Sequence, residues 1–479
     1  MSDRRDAPHL LYVAWGFPPS RGGGVYRALA TANAFANAGW RVTVLTAERE
    51  AFERYTGLDA TLEDHVDPSI RIERLPFSWP LLDTDIRRYS WLRAHSPARW
   101  RKRHVRKDTA DFPEAGYGPW RKVLEQAALR IHQADPVDLV VATANPNVDF
   151  TAAWVLNRRH GVPFVMDYRD AWLLDVFEGG MLHEEGSRAA VWERDLIAAA
   201  HEVWFVNEPI RAWHQKRYPA SASRMHVVSN GFDPELAPPA RHHAADAGAG
   251  LTFGYLGTIS PKVPLAELIE GWRSAREDDE LVATGRLRLH GYLGYYAAPR
   301  ADLANLVEDA ADADVSYEGP VAKTEIAAVY ESFDVLLLVI GAGRYVTSGK
   351  VFEYIATGMP IVSVHDPINA ASDVLRGYPM WFPVRDLDPA SVAEALTAAA
   401  HAAVNADDDL RDRCRAFAAS YERDLQLLPR VQELSTSVGG LVVIPAPAPT
   451  GGAESSTTTG TTDTTGRVEL AGVPQGEPR

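Results

Sequence analysis

An alternation of short apolar runs with amphipathic segments, carried out twice along the chain, constrains this sequence more than any other feature. The first series reads LLYVAW (10–15), a helical VYRALATANAFANAG that stops at Gly39, and RVTVLTA (41–47). DLVVATA (138–144), PFVMDY (163–168), EVWFVN (202–207) and HVVSNG (226–231) continue it, with the helical runs TAAWVLNRRHG and AAVWERDLIAAAH between them. Strands that are apolar throughout and separated by helices predict a parallel, doubly wound sheet covered on both faces. A second series begins at Leu251 with LTFGYLG and continues through RLRLHGYLG, VSYEG, DVLLLVI and PIVSV, again with helical runs between. The expected fold class is therefore α/β, with two Rossmann-like domains of comparable size.

Between the two series, residues 236–250 (LAPPARHHAADAGAG) read as a linker. The expected division is a first domain over 1–240, a second over 250–405, a helical segment over 406–440 and a disordered tail over 445–479. Within it, Asp407 to Leu427 reads as one helix. The tail, with its PAPTGGAESSTTTGTTDTTG, is too poor in apolar residues to build a core.

At 479 residues, 46% hydrophobic and 24% charged, the chain has the composition of a folded globular protein. Its 64 acidic against 49 basic residues leave a net charge of −15, which gives a nucleic-acid partner no help. Cys414 is the single cysteine, so no internal disulfide can form, and it reads as a buried, inert thiol. The apolar start from Leu10 to Ala14 is too short for a signal-peptide core, and no run approaches a membrane span. A cytoplasmic protein is expected, with contact to the inner face of the membrane only at its periphery.

Four places carry residues suited to chemistry. The turn PPSRGGGVYR holds Gly22, Gly23 and Gly24 between the first strand and the first helix, where glycines permit positive φ and close backbone approach to an anion or a sugar. Because the three are adjacent, the spacing is not that of a dinucleotide fingerprint. The plain alternative is a flexible βα turn. VMDYRDAW sets Asp167, Arg169 and Asp170 at a strand's C-terminal end, where open α/β sheets bind ligands, and Arg169 and Asp170 are the candidate catalytic pair. A salt-bridged loop is the alternative there.

SGKVFEYIATGMPIV opens a helix with Gly349, Lys350 and Glu353, a cation suited to a diphosphate and a carboxylate suited to a ribose diol. Lys262, after YLGTISPK, adds a second cation, with Thr258 as a donor. Asp312 and Asp314 have the spacing of a metal-holding pair, but they lie at a helix end and read as solvated charge; no HExxH is present, and no metal is expected. From Arg87 to Lys107 nine Lys or Arg occur without an acid, interleaved with Tyr89, Trp91 and Trp100, within a basic insert spanning about 85–120. That composition suits an anionic membrane surface or a lipid-linked acceptor, a solvated loop being the alternative.

Taken in order, the glycine turn, VMDYRDAW, VVSNGFDPE, YLGTIS and SGKVFEYIATGMPIV resemble the retaining GT-B glycosyltransferases (glycosyltransferase family 4, "group 1" type), over roughly residues 9–425. The resemblance implies a nucleotide diphosphate sugar as donor, no cofactor, no required metal, and a sugar, lipid-linked or small-molecule acceptor. It implies that Glu353 holds the ribose, Lys262 the phosphate, and that the three glycines close over donor and acceptor. Two positions depart from the pattern. Tyr345 stands eight before Glu353, where many members carry the Glu that touches the donor sugar, and Arg169 and Asp170 occupy the neighbourhood of the family's histidine. A sugar-nucleotide epimerase of the same fold and a non-catalytic nucleotide-sugar-binding protein are the competing readings.

Overall fold

The computed structural model describes residues 7–235, 245–294, 301–321, 325–341 and 343–440. The tail beyond 440 and most of the 236–250 linker lie outside the described residues.

The first lobe is built on seven strands: β1 (His9–Val13), β2 (Arg41–Ala47), β3 (Arg71–Leu75), β4 (Leu139–Ala144), β5 (Phe164–Tyr168), β6 (Glu202–Phe205) and β7 (Met225–Val227). They form one parallel sheet in the order β3-β2-β1-β4-β5-β6-β7. The second lobe has six strands: β8 (Thr252–Leu256), β9 (Arg286–His290), β10 (Val315–Gly319), β11 (Val335–Val339), β12 (Ile361–Val364) and β13 (Trp381–Pro383). Their order is β10-β9-β8-β11-β12-β13, again all parallel. The chain order reverses between β1 and β4 in one sheet and between β8 and β11 in the other, and a reversal of this kind opens a crevice at the strands' C-terminal ends.

The inner strands are buried on both faces because helices cover both sides, and β1, β4, β5, β8 and β11 are apolar almost throughout. Two strands escaped the apolar pattern. β3 is RIERL at a sheet edge, half open to water, and β13 is three residues ending in Pro383 at the opposite sheet's edge. Edge strands need only one buried face and tolerate charge and proline.

The expected single helix from Asp407 to Leu427 is instead two helices, Asp408–Ala419 and Arg423–Ser437. Backbone pairing with the lobe junction causes the break. Phe232 N donates to Tyr421 O at 3.1 Å and Arg423 N donates to Phe232 O at 2.8 Å. Gly231 is in the left-handed region (φ +63°), and a Cβ there would lie 2.6 Å from Tyr421 O, so this junction requires glycine. The helix Arg423–Ser437 then lies against Val25–Asn37 of the first lobe, burying Leu427, Val431 and Leu434 in that lobe's core, with Trp40 Nε1 donating to Ser435 Oγ at 2.8 Å. Cys414 is fully buried.

Candidate active site

The glycine turn leaves β1 and leads into the helix Val25–Asn37, whose N-cap residue is Gly24. Gly24 has φ −75° and none of the three glycines is left-handed, so positive φ is not why they are there. Close approach is the reason at Gly24, where a Cβ would come within 2.8 Å of the Arg169 guanidinium. The turn from β1 and the exit of β5 thus meet across the crevice. Arg169 is further held by Nε donating to Ala144 O at 3.2 Å, at the end of β4, and its guanidinium lies 3.1 Å from Asp170.

Asp167 does not join this pair. It is completely buried, accepts both Nε and Nη2 of Arg27 (2.7 Å at the shortest) and takes a further bond from Thr143 Oγ1 at 2.9 Å, its register neighbour on β4. Arg27 extends the same network by donating to Val228 O at 2.9 Å and Ser229 O at 3.2 Å, where the chain leaves the first sheet. Asp167 therefore anchors the fold below the site, and Arg169 and Asp170 remain above it.

Beneath the Arg169 loop lies a buried carboxylate that the sequence pattern does not reveal. Glu193 accepts from Tyr218 Oη at 2.8 Å and from Tyr168 Oη in a short bond, and Tyr168 Oη in turn accepts from Trp172 N at 2.7 Å. Burial pushes the Glu193 carboxyl up to about 7, against the opposing effect of these hydroxyl donors and of Arg217.

In the second lobe, Thr258 and Lys262 follow β8, and Gly349, Lys350 and Glu353 follow β11, so the candidate donor residues flank that sheet's point of reversal. Gly341 packs on the Lys262 backbone, where a Cβ would lie 2.1 Å from Lys262 O. Lys350 reaches back across the reversal: its Cε would be 3.2 Å from a Cβ on Gly257, just past β8. Burial pushes the Lys350 ammonium down, and the nearby Glu353 carboxylate opposes that shift. Glu353 accepts from Tyr330 Oη at 3.0 Å, which orients one carboxylate oxygen and leaves the side chain half-buried. Thr258 is half-buried and gives its carbonyl to Tyr255 Oη at 3.1 Å.

Asp312 and Asp314 are taken up elsewhere, in ion pairs with Arg273 (2.7 Å) and Arg288 (2.9 Å). Among the described residues no cluster of His, Cys, Asp and Glu could hold a metal ion.

The lobes touch at this level. Tyr26, two residues past the glycines, has its hydroxyl pushed up to about 12 by burial and then by the carboxylates of Asp59, Glu353 and Asp233, which puts it within electrostatic reach of Glu353 across the cleft. Asn207 caps the helix Glu208–Arg217 with its side-chain oxygen and uses its amide to hold Tyr345 O at 2.9 Å and Thr347 Oγ1 at 3.0 Å. Tyr345 packs its ring against the first lobe's core. The position eight before Glu353 is thus engaged at the lobe junction. In the sequence Asn207 stands only as the end of the run EVWFVN; its cap becomes visible with the helix, and its hold on Tyr345 exists only once the lobes meet.

Two parallel sheets, one in each lobe and each with a single point of reversal, are the GT-B architecture. Residues 22–231, in the first lobe, match the model of the glycosyl transferase 4-like domain. Solved structures alike in fold include sucrose-phosphate synthase from Thermosynechococcus elongatus, at 15% identity over 90% of this chain and 98% of that one (TM-score 0.57). A glycosyltransferase from Rickettsia africae aligns at 11% identity over 90% and 99% (TM-score 0.58). HepE of Anabaena, in complex with UDP-glucose, aligns at 14% over 90% and 99% (TM-score 0.53). No curated protein matches the chain by sequence.

Proposed function

We propose that this GT-B protein moves a hexose-type sugar from a nucleotide diphosphate sugar to an acceptor hydroxyl, with retention and without a metal ion, in polysaccharide, glycolipid or natural-product glycoside biosynthesis. The observation that carries the reading is the placement of Lys262, Lys350 and Glu353 around one sheet reversal, with Glu353 in electrostatic reach of Tyr26, two residues past the glycine turn of the other lobe. Two ammonium groups suit a diphosphate, and an oriented carboxylate suits a ribose diol. The likeness in fold to a protein solved with UDP-glucose supports a nucleotide-sugar donor, and retention rests on the motifs shared with the retaining family.

In the transfer, the bond from the anomeric carbon to the diphosphate oxygen breaks, a bond to the acceptor oxygen forms, the acceptor's proton leaves, and a nucleoside diphosphate is released. Lys262 and Lys350 would stabilise the leaving diphosphate. Arg169 and Asp170 are the proposed catalytic pair, the guanidinium offsetting negative charge as it develops and the carboxylate accepting from a sugar or acceptor hydroxyl. Gly22, Gly23 and Gly24 would let backbone N–H groups approach the substrates.

Glu353→Ala is expected to weaken nucleotide-sugar binding by about 1.5–3 kcal/mol in a thermal-shift titration, with turnover by the wild type surviving EDTA. Unchanged donor affinity would overturn the ribose assignment, and a Mg²⁺- or Mn²⁺-rescued loss would overturn the metal-free one. Hydrolysis of the donor by the wild type excludes a mere binding protein.

The basic insert is the proposed acceptor-side guide. It forms the helices Trp91–His95 and Pro97–Asp111, with Arg99, Arg101, Lys102 and Arg103 exposed and Trp91 73% exposed. Among the described residues no helix is long and apolar enough to cross a membrane, and this arm suits peripheral attachment to an anionic surface. Changing those four basic residues to Ser should abolish salt-sensitive co-sedimentation with anionic vesicles; equal behaviour of both proteins at low salt would remove the membrane from the proposal.

A further inference from the structure

The loop after Arg169 runs out to a narrow tip and back, closed by an antiparallel bridge between Leu174 and Met181. Asp175 sets the tip: its Oδ1 accepts from Phe177 N (2.9 Å) and Glu178 N (3.2 Å), its carbonyl accepts from Gly179 N (2.7 Å), and its own N–H donates to Gly180 O (2.9 Å). This first-lobe tip lies against the donor-side loops of the second lobe. Gly343 is left-handed (φ +107°), and a Cβ there would be 2.7 Å from Val176 O; a Cβ on Gly179 would be 3.3 Å from the Tyr345 ring. Lys262 Nζ lies 4.4 Å from the centre of the Phe177 ring and 3.7 Å from Glu178 Oε1.

From this geometry we infer that Glu178 belongs to the donor site and reads the hydroxyls of the transferred sugar, an inference that rests on the donor reading of Lys262 given above. With Glu353 marking the ribose end and Lys262 and Lys350 the diphosphate, the sugar extends on the far side of the phosphates, toward the first lobe. An ionised carboxylate only accepts hydrogen bonds, and sugar hydroxyls donate them. When the diphosphate takes Lys262, Glu178 loses its counter-ion and is left beside negative charge on a tip whose backbone is fixed. A sugar hydroxyl compensates that repulsion, and a bare nucleoside diphosphate does not. Glu178 therefore favours the intact donor over the spent nucleotide, and its placement selects which sugar fits.

The test is isothermal titration of the wild type, Glu178→Gln and Glu178→Asp with UDP, GDP and dTDP, and with UDP-glucose, GDP-mannose and dTDP-glucose, continuing with whichever base the wild type binds. Glu178 is largely exposed, and matching melting curves of the three proteins establish that each is folded. For Glu178→Gln the expected result is an affinity for the sugar nucleotide reduced about tenfold, with the bare diphosphate binding as well as before or more tightly. Glu178→Asp should recover part of the loss. If both ligands shift equally, or if neither shifts, Glu178 does not read the sugar. A wild type that binds none of the six overturns the donor reading itself, and this inference with it.

Discussion

Two arginine–aspartate pairs meet at β5, and only one of them reaches solvent. Arg27 and Asp167 have side chains 2% and 0% exposed and are saturated with bonds to each other, to Thr143 and to the backbone at the lobe junction. Arg169 and Asp170, just past the C-terminal end of β5, have side chains 18% and 53% exposed. The residue types are the same and the aspartates are three positions apart. What differs is direction: Asp167 lies within β5 and points into the core, and Asp170 follows the strand's end. Chemistry of this kind is read from where a charge sits relative to the sheet, because burial with full pairing fixes a charge in one role.

The largest effect is expected at the buried pair. Asp167→Ala leaves Arg27 buried without its counter-charge and is expected to destabilise the first lobe by about 3–5 kcal/mol, read by chemical denaturation. A wild-type unfolding curve would show that the pair contributes nothing to the fold. At the exposed half the expectation reverses. Arg169→Ala should keep the melting temperature near that of the wild type and lower turnover by roughly a hundred- to thousandfold, the size of effect seen when a charge-stabilising donor is removed. Full turnover in that variant would return the Arg169–Asp170 pair to the status of an ordinary salt-bridged loop.

Glu193 sharpens the contrast as a third carboxylate, buried with tyrosine hydroxyls in place of a close cation. His214, whose Nε2 is 3.9 Å away, is held down at about 3 by burial and stays neutral near pH 7; Arg217 bonds to Tyr218 and Glu185. Since the Glu193 carboxyl rises from 4.5 to about 7 on folding, the folded state binds more protons than the unfolded one between those values. Its contribution is complete below about pH 4.5 and is lost as pH rises through about 7. The stability of the wild type relative to Glu193→Gln should therefore fall across that interval, by no more than about 3 kcal/mol, and stay level above it. A difference that is flat from pH 4.5 to 7.5 would mean that Glu193 is ionised throughout.

The two alternating series, and through them the parallel sheets, were legible in the residues because a strand covered on both faces must be apolar along its whole length, as β4 and β11 are. The sequence also placed Arg169, Lys262, Lys350 and Glu353 at the ends of strands or the start of a helix. Where only one face is buried the pattern fades, which hid the edge strands β3 and β13. Hydrophobic periodicity does not report a backbone break either, and the pairing of Phe232 with Tyr421 and Arg423 that divides the last helical segment joins residues nearly two hundred positions apart. That Asp167 is structural, that Asn207 holds Tyr345 and that Glu178 stands beside Lys262 emerge only when the chain is folded. Each of these follows from which side chains two separately formed lobes bring face to face, and spacing along the chain carries no record of that meeting.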